Sequence, residues 1–140
     1  MAAPVLPPQQ VQQLWEAAVA ASAHAYAPFS KFYVGAAILT RSGQIFTGCN
    51  VENSSYGLTN CAERTAIFKA ISEGADEGNL EVVAVACLNR DGVPCAPCGA
   101  CRQVIYEHGP EAIVIYRAKD GNIAQTPISG LLPEGFRLKG

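Results

Sequence analysis

Three cysteines stand within seven residues of one another in the run C-A-P-C-G-A-C, Cys95 to Cys101, and the fold must find a use for them. Three more, Cys49, Cys61 and Cys87, are spread through separate, largely apolar segments. Six thiols invite a disulfide framework, but the first ten residues, M-A-A-P-V-L-P-P-Q-Q, carry no basic residue and break on prolines before a signal-peptide core can form. A cytoplasmic chain is therefore expected, and a reducing compartment disfavours structural disulfides. The Cys98–Cys101 spacing suits metal ligation, and it suits a redox dithiol equally. Both readings stand until the rest of the chain supplies further ligands.

Periodicity places the cysteines. In residues 9–25 the positions Val11, Leu14, Trp15, Ala18, Ala21 (or Ser22) and Ala25 follow a 3.6-residue period, an amphipathic helix between Pro7-Pro8 and Pro28. The first ten residues are expected to be mobile. Residues 34–40 are almost wholly apolar and read as a buried strand, turned by Ser42-Gly43 into a second strand over 44–49. A polar loop follows, then a helix from Cys61 with Asn60 as N-cap and Gly74 as its stop. Residues 82–88 form a continuous apolar strand, central and covered on both faces. A helix over about 99–108 stops at Gly109-Pro110, and strands 113–116 and 123–126 flank the hairpin signal Asp120-Gly121. The order α-β-β-α-β-α-β-β predicts an α/β fold, three layers α/β/α with a mixed five-stranded sheet.

With 140 residues, 49% of them hydrophobic, the chain is expected to form one domain, 1–140, with a core that needs no staples. Ten Lys+Arg against twelve Asp+Glu, with no basic block, argue against a nucleic-acid partner. The longest glycine-free apolar run, 82–88, is far below the ~20 residues that span a bilayer, so no membrane partner is expected.

Two loops that follow strands deliver Cys61 and Cys98 to helix starts, where free N–H groups and the helix dipole favour thiolate. Cys61, Cys98 and Cys101 supply three ligands, and tetrahedral Zn²⁺ would keep its fourth position for water. Glu63, in the first turn beyond Cys61, can reach that position without ligating. Zinc lowers the pKa of bound water from ~16 towards ~7, so a nearby carboxylate can take its proton. Cys95 as a fourth ligand would close the site into a structural one. Pro97 directly before Cys98 and the Glu beside Cys61 favour a spare Cys95. Cys49 and Cys87 read as small buried hydrophobes, and His24 and His108 fall outside every motif.

The blocks K-F-Y-V-G-A-A (31–37), G-C-N-V-E-N (48–53), N-C-A-E-R-T-A (60–66) and P-C-G-A-C-R-Q-V (97–104) resemble the cytidine deaminases. The similar order runs from about Tyr26 to the L-L-P-x-x-F ending at Phe136. The pairing of C-x-E with P-C-x-x-C matches the zinc-deaminase signature, with Cys61 where the nucleic-acid editors carry His. That cysteine resembles the small homotetrameric free-nucleoside enzymes. The resemblance implies one zinc per chain on Cys61, Cys98 and Cys101, with Glu63 as proton shuttle. It implies that Asn50 and Glu52 hold the ribose hydroxyl, that Phe32 packs on the pyrimidine, and that backbone around Ala62 and Cys98 faces the base edge. Tyr56 and Phe136 match residues lent across subunits, and Arg64 matches one that hydrogen-bonds the thiolates and tempers their charge. The implied reaction is hydrolysis of cytidine and 2′-deoxycytidine to uridine and 2′-deoxyuridine plus ammonia, in pyrimidine salvage, a zinc-bound hydroxide attacking C4 of the base. A deaminase of a modified nucleoside such as blasticidin S, or a non-catalytic structural zinc or redox dithiol protein, are the alternatives.

Overall fold

A computed structural model describes residues 6–138. Helix α1 (Pro8–Ser22) opens with a proline in its first turn, where the ring pre-sets φ and the missing N–H has no intrahelical partner to lose. It lays Leu14, Ala18 and Ala21 on one face of a sheet built from β1 (Val34–Thr40), β2 (Ile45–Cys49), β3 (Val82–Asn89), β4 (Ile113–Arg117) and β5 (Ile123–Pro127). The other face is covered by α2 (Ala62–Ser72), α3 (Gly99–His108) and the short α4 (Ile128–Leu131). The order β2-β1-β3-β4-β5 is mixed: β1–β2, β1–β3 and β4–β5 are antiparallel and β3–β4 parallel. The expected three-layer α/β architecture is the observed one, with β3 at its centre. Among the described residues no helix is long and apolar enough to cross a membrane.

Each side of the sheet has its own core. Leu14 and Ala18 meet Ala37, Leu39, Ala84 and Ala86 on the α1 side. Ile38, Ala66, Ile67, Val85, Ile105 and Val114 fill the other. The alternation along β1 is the two-residue period of a strand buried on both faces. Two glycines let helices touch the strands' backbone. A Cβ on Gly35 would fall 2.6 Å from the Ser22 nitrogen, and closer still to the Ala18 carbonyl oxygen. A Cβ on Gly48 would fall 2.5 Å from the Ala66 nitrogen and 2.6 Å from the Ala62 carbonyl oxygen.

Tertiary pairing overrides two local expectations. The first helix ends at Ser22, not near Ala25, because Tyr26 is drawn into a bridge with Val51 and its N–H donates to the Asn50 carbonyl at 3.0 Å. Asn60 is not the cap of α2. Its backbone pairs with Val51, its Nδ2 donates to Thr65 Oγ1 at 3.1 Å, and Cys61 takes the cap position. Of the first ten residues, expected to be mobile, Leu6 packs against the α1 core and Pro8 to Gln10 are helical; residues 1–5 lie outside the described residues. Gly74 does stop α2, with φ 73° in the left-handed region.

Register fixes where a site can form. Val34 of β1 pairs with Asn89 of β3, and Gly35 with Cys49 of β2. The start of β1 and the ends of β2 and β3 therefore share one edge of the sheet. The segments that continue from that edge carry residues 29–33, 50–61 and 90–98.

Candidate functional site

Cys61 and Cys98 occupy the N-cap positions of α2 and α3, both in extended conformation, and Cys101 lies in the first turn of α3. The Cys61 and Cys98 sulfurs are 3.8 Å apart, and all three Sγ atoms lie within 4.8 Å of one another. Zn–S bonds of ~2.3 Å in a tetrahedron set sulfurs ~3.8 Å apart, so the donor set has the spacing and softness that zinc requires. Three ligands leave one coordination position open, and Cys95 stands outside the cluster. Arg64 Nη2 donates to Cys61 Sγ at 3.1 Å, while its buried Nε has no hydrogen-bond partner among the described residues. Three thiolates around a dication carry a net negative charge, which this guanidinium offsets.

The thiols are electrostatically coupled. The hydrogen bond from the Cys101 thiol, reinforced by Arg64 against the cost of burial, brings Cys61 down to about 5, and Cys101 is pushed up by the Cys61 thiolate and by burial. Glu63, 4% exposed, is raised to about 7, first by burial and then by the Cys61 charge, against the pull of its own backbone N–H. A carboxyl near neutrality can both take and give a proton at working pH. Burial pushes Cys95 up to about 12 and raises Cys87, so both stay thiols, and Cys49 is only half-buried because β2 is an edge strand. All six cysteines are free.

The cluster opens on a cavity of about 400 Å³ lined by Phe32, Asn50, Glu52, Cys61, Ala62, Glu63 and Cys98, together with Ser30, Val34, Thr59, Asn60, Cys95 and Ala96. Among the described residues no lysine, arginine or histidine lines it. A larger cavity of about 770 Å³ sits at the opposite edge of the sheet, around Arg41, Glu81 and Arg137, and contains none of the thiols. Asn50 is nearly buried and already engaged: Oδ1 accepts the Val34 N–H at 2.9 Å and Nδ2 donates to the Phe32 carbonyl at 2.8 Å. Glu52 Oε1 accepts the N–H groups of Phe29 at 2.9 Å and Ser30 at 3.2 Å, and Oε2 accepts the Ser30 hydroxyl. That hydroxyl is the main reason the Glu52 carboxyl lies below its ordinary value. Phe32 is 37% exposed, part of the cavity wall and not of the core.

Tyr56 and Phe136 are not brought into this cavity. Tyr56 is 77% exposed, edge-on to Phe29 with ring centroids 6.0 Å apart. Phe136 is 67% exposed, its carbonyl accepting Gln103 Nε2 at 3.1 Å. Sequence reasoning missed Ser30, since nothing local pairs it with a carboxylate 22 residues later. It also missed Arg102, in P-C-G-A-C-R, which donates through Nε to the Pro97 carbonyl at 2.8 Å and holds the loop entering Cys98.

Residues 8–117 match the family model described as the cytidine and deoxycytidylate deaminase zinc-binding region. A cytidine deaminase of Halalkalibacterium halodurans is 48% identical over 126 residues, covering 89% of this chain and 92% of the relative. The crystal structure of cytidine deaminase from Burkholderia pseudomallei superposes with a TM-score of 0.79 at 50% identity, over 89% of this chain and 98% of that one. That of Mycobacterium tuberculosis gives 0.79 at 40% identity, over 91% and 97%.

Proposed function

The chain belongs to the cytidine and deoxycytidylate deaminase family, and on that premise we propose that it hydrolyses cytidine and 2′-deoxycytidine to uridine and 2′-deoxyuridine, releasing ammonia, with one zinc ion per chain. The carrying observation is a three-thiol cluster at two helix N-termini with a buried carboxyl, Glu63, in the first turn of α2 and a nucleoside-sized cavity in front. Cys61, Cys98 and Cys101 hold the metal, and Arg64 steadies their charge. When bound, zinc supplies Lewis acidity that lets water ionise near neutral pH. Glu63 takes a proton from the attacking water and delivers it to ring N3. It then carries the remaining hydroxyl proton to the departing amine, so one carboxyl serves both half-reactions. Asn50 and Glu52 face the sugar, Phe32 packs on the base, and backbone at Ala62 and Cys98 faces the base edge.

The cavity's charge selects a free nucleoside over a nucleotide. Among the described residues its wall carries two carboxyls and no cation, so a phosphate monoester would be desolvated without a partner. The chain acts as one catalytic domain in a homotetramer of pyrimidine salvage, with Tyr56 and Phe136 entering a neighbour's pocket. Their exposure, and their absence from the lining of their own chain's cavity, support this arrangement. Free thiol ligands suit the cytoplasm.

The test is turnover of cytidine, 2′-deoxycytidine, cytidine 5′-monophosphate and blasticidin S by the zinc-loaded protein, followed by ultraviolet absorbance and ammonia release. The two nucleosides are expected to react, with the monophosphate about 10²-fold or more poorer in kcat/KM. Absence of turnover with zinc in place would sink the reading in favour of a structural zinc or redox protein. Turnover of blasticidin S alone would transfer it to the modified nucleoside.

A further inference from the structure

Asn50 and Glu52 flank Val51, whose backbone bridges Tyr26 on one side and Asn60 on the other. From that shared base both side chains reach over the same turn. Asn50 Nδ2 holds the Phe32 carbonyl, and the Phe32 N–H donates at 3.0 Å to the Ser30 hydroxyl, which itself donates to Glu52. Both backbone polar groups of Phe32 are thus held by side chains. One is held by Asn50 directly, the other by Glu52 through Ser30. Between Ser30 and Phe32, Lys31 has φ 57°, a left-handed conformation that costs a non-glycine residue free energy and persists only where surroundings over-determine it. Local preference does not set where the Phe32 ring lies; the clamp does.

We propose that Ser30 is a positioning residue of the pocket, its hydroxyl tying the Glu52 carboxylate and the Phe32 ring into one unit so that the sugar-side and base-side walls are set together. The proposal rests on the reading of the cavity as a cytosine-nucleoside site. Removing the hydroxyl strips a donor from a charged carboxylate and an acceptor from the Phe32 N–H at once. Both groups lie at an exposed rim where water replaces the lost partner, so the fold tolerates the loss. The cavity does not, because its two walls then move independently.

The experiment is steady-state kinetics of zinc-loaded Ser30→Ala, Ser30→Thr, Glu52→Gln and the Ser30→Ala/Glu52→Gln pair, with thermal melts of each. Ser30→Ala is expected to raise KM for cytidine about tenfold, the loss of one charge-assisted hydrogen bond, with kcat within about twofold. Ser30→Thr keeps a hydroxyl and should recover most of the KM. In the Glu52→Gln background Ser30→Ala should add less than about twofold, since the hydroxyl then faces an uncharged amide and the charge-assisted bond is already lost. A KM in Ser30→Ala within twofold of the unsubstituted protein, full additivity of the pair, or a Ser30→Thr that melts normally without recovering KM would each overturn the proposal. Failure of the unsubstituted protein to deaminate cytidine would bring down the underlying reading, and this role with it.

Discussion

Gly48 is where the strand edge and the metal-bearing helix meet, and replacing it with alanine should damage the metal site from a distance. The added Cβ would lie 2.5 Å from the Ala66 nitrogen and 2.6 Å from the Ala62 carbonyl oxygen, both backbone atoms in the first turns of α2. Reaching ordinary contact at 3.4 Å requires a shift of about 0.9 Å between β2 and α2. Cys61 is the N-cap of that helix, while Cys98 caps α3 and Cys101 lies within it, so the shift falls directly on the sulfur triangle. Metal sites tolerate about 0.2 Å in ligand distance, so zinc affinity should fall roughly 10- to 100-fold. Catalytic efficiency should fall about 10²-fold, the usual consequence of a misplacement near 1 Å. Overpacking should also cost about 1–3 kcal/mol, lowering the thermal midpoint by roughly 3–10 °C. The control is Gly35→Ala. Its Cβ meets the α1 backbone at least as severely, but α1 carries no site residue. Chelator competition on both variants, beside thermal melts, separates the effects. Gly35→Ala should lose stability and keep its zinc affinity. Gly48→Ala binding zinc as tightly as the unsubstituted protein, or the two variants losing affinity equally, would refute the reasoning.

Other outcomes follow from single side chains. Glu63→Gln should lower kcat by about 10³-fold or more while one zinc per chain remains by metal analysis, because the proposed mechanism gives Glu63 the proton transfers and the clustered donor atoms are the three sulfurs. Cys95→Ala should leave zinc stoichiometry unchanged, since its sulfur lies outside the cluster, and a clear loss would revive a four-cysteine structural site. Asp76 accepts the N–H groups of Ser42 at 3.1 Å and Glu81 at 2.9 Å, joining the β1–β2 turn to the approach to β3. Burial works to raise its carboxyl, but those hydrogen bonds and Arg41 outweigh it and hold it below the usual aspartate value of 3.8. The folded-state pKa being depressed, its contribution is complete well above pH 3.8 and disappears as pH falls through the folded value. Asp76→Asn should therefore cost about 1–2 kcal/mol at pH 7 in a denaturant titration, and the gap from the unsubstituted protein should close in acid.

Much of this protein is legible from residues close in sequence. Apolar runs, turn signals and the 3.6-residue period place every strand and the three long helices, because each element must turn one face or both to a core. The spacing of Cys98 and Cys101, and the step from Cys61 to Glu63, are settled within single helical turns, so the donor types and their proximity to a helix start can be read without a fold. What sequence spacing leaves open is everything that depends on which edge a segment reaches. Only the register of β1 against β2 and β3 brings Cys61 to within 3.8 Å of Cys98. Only the Val51 bridge takes Asn60 away from the cap of α2 and ends α1 before Ala25. Asn50 and Glu52 lie in a polar loop where spacing alone assigns them nothing, yet they carry the clamp on Phe32, with Ser30 as its unforeseen third member. Cys95 and Cys98 sit three residues apart and look interchangeable. Cys95 pairs its backbone with Arg117 across the sheet edge, while Cys98 caps a helix beside Cys61. Local chemistry chose the ligands' kind, and long-range backbone pairing chose which of six thiols would meet.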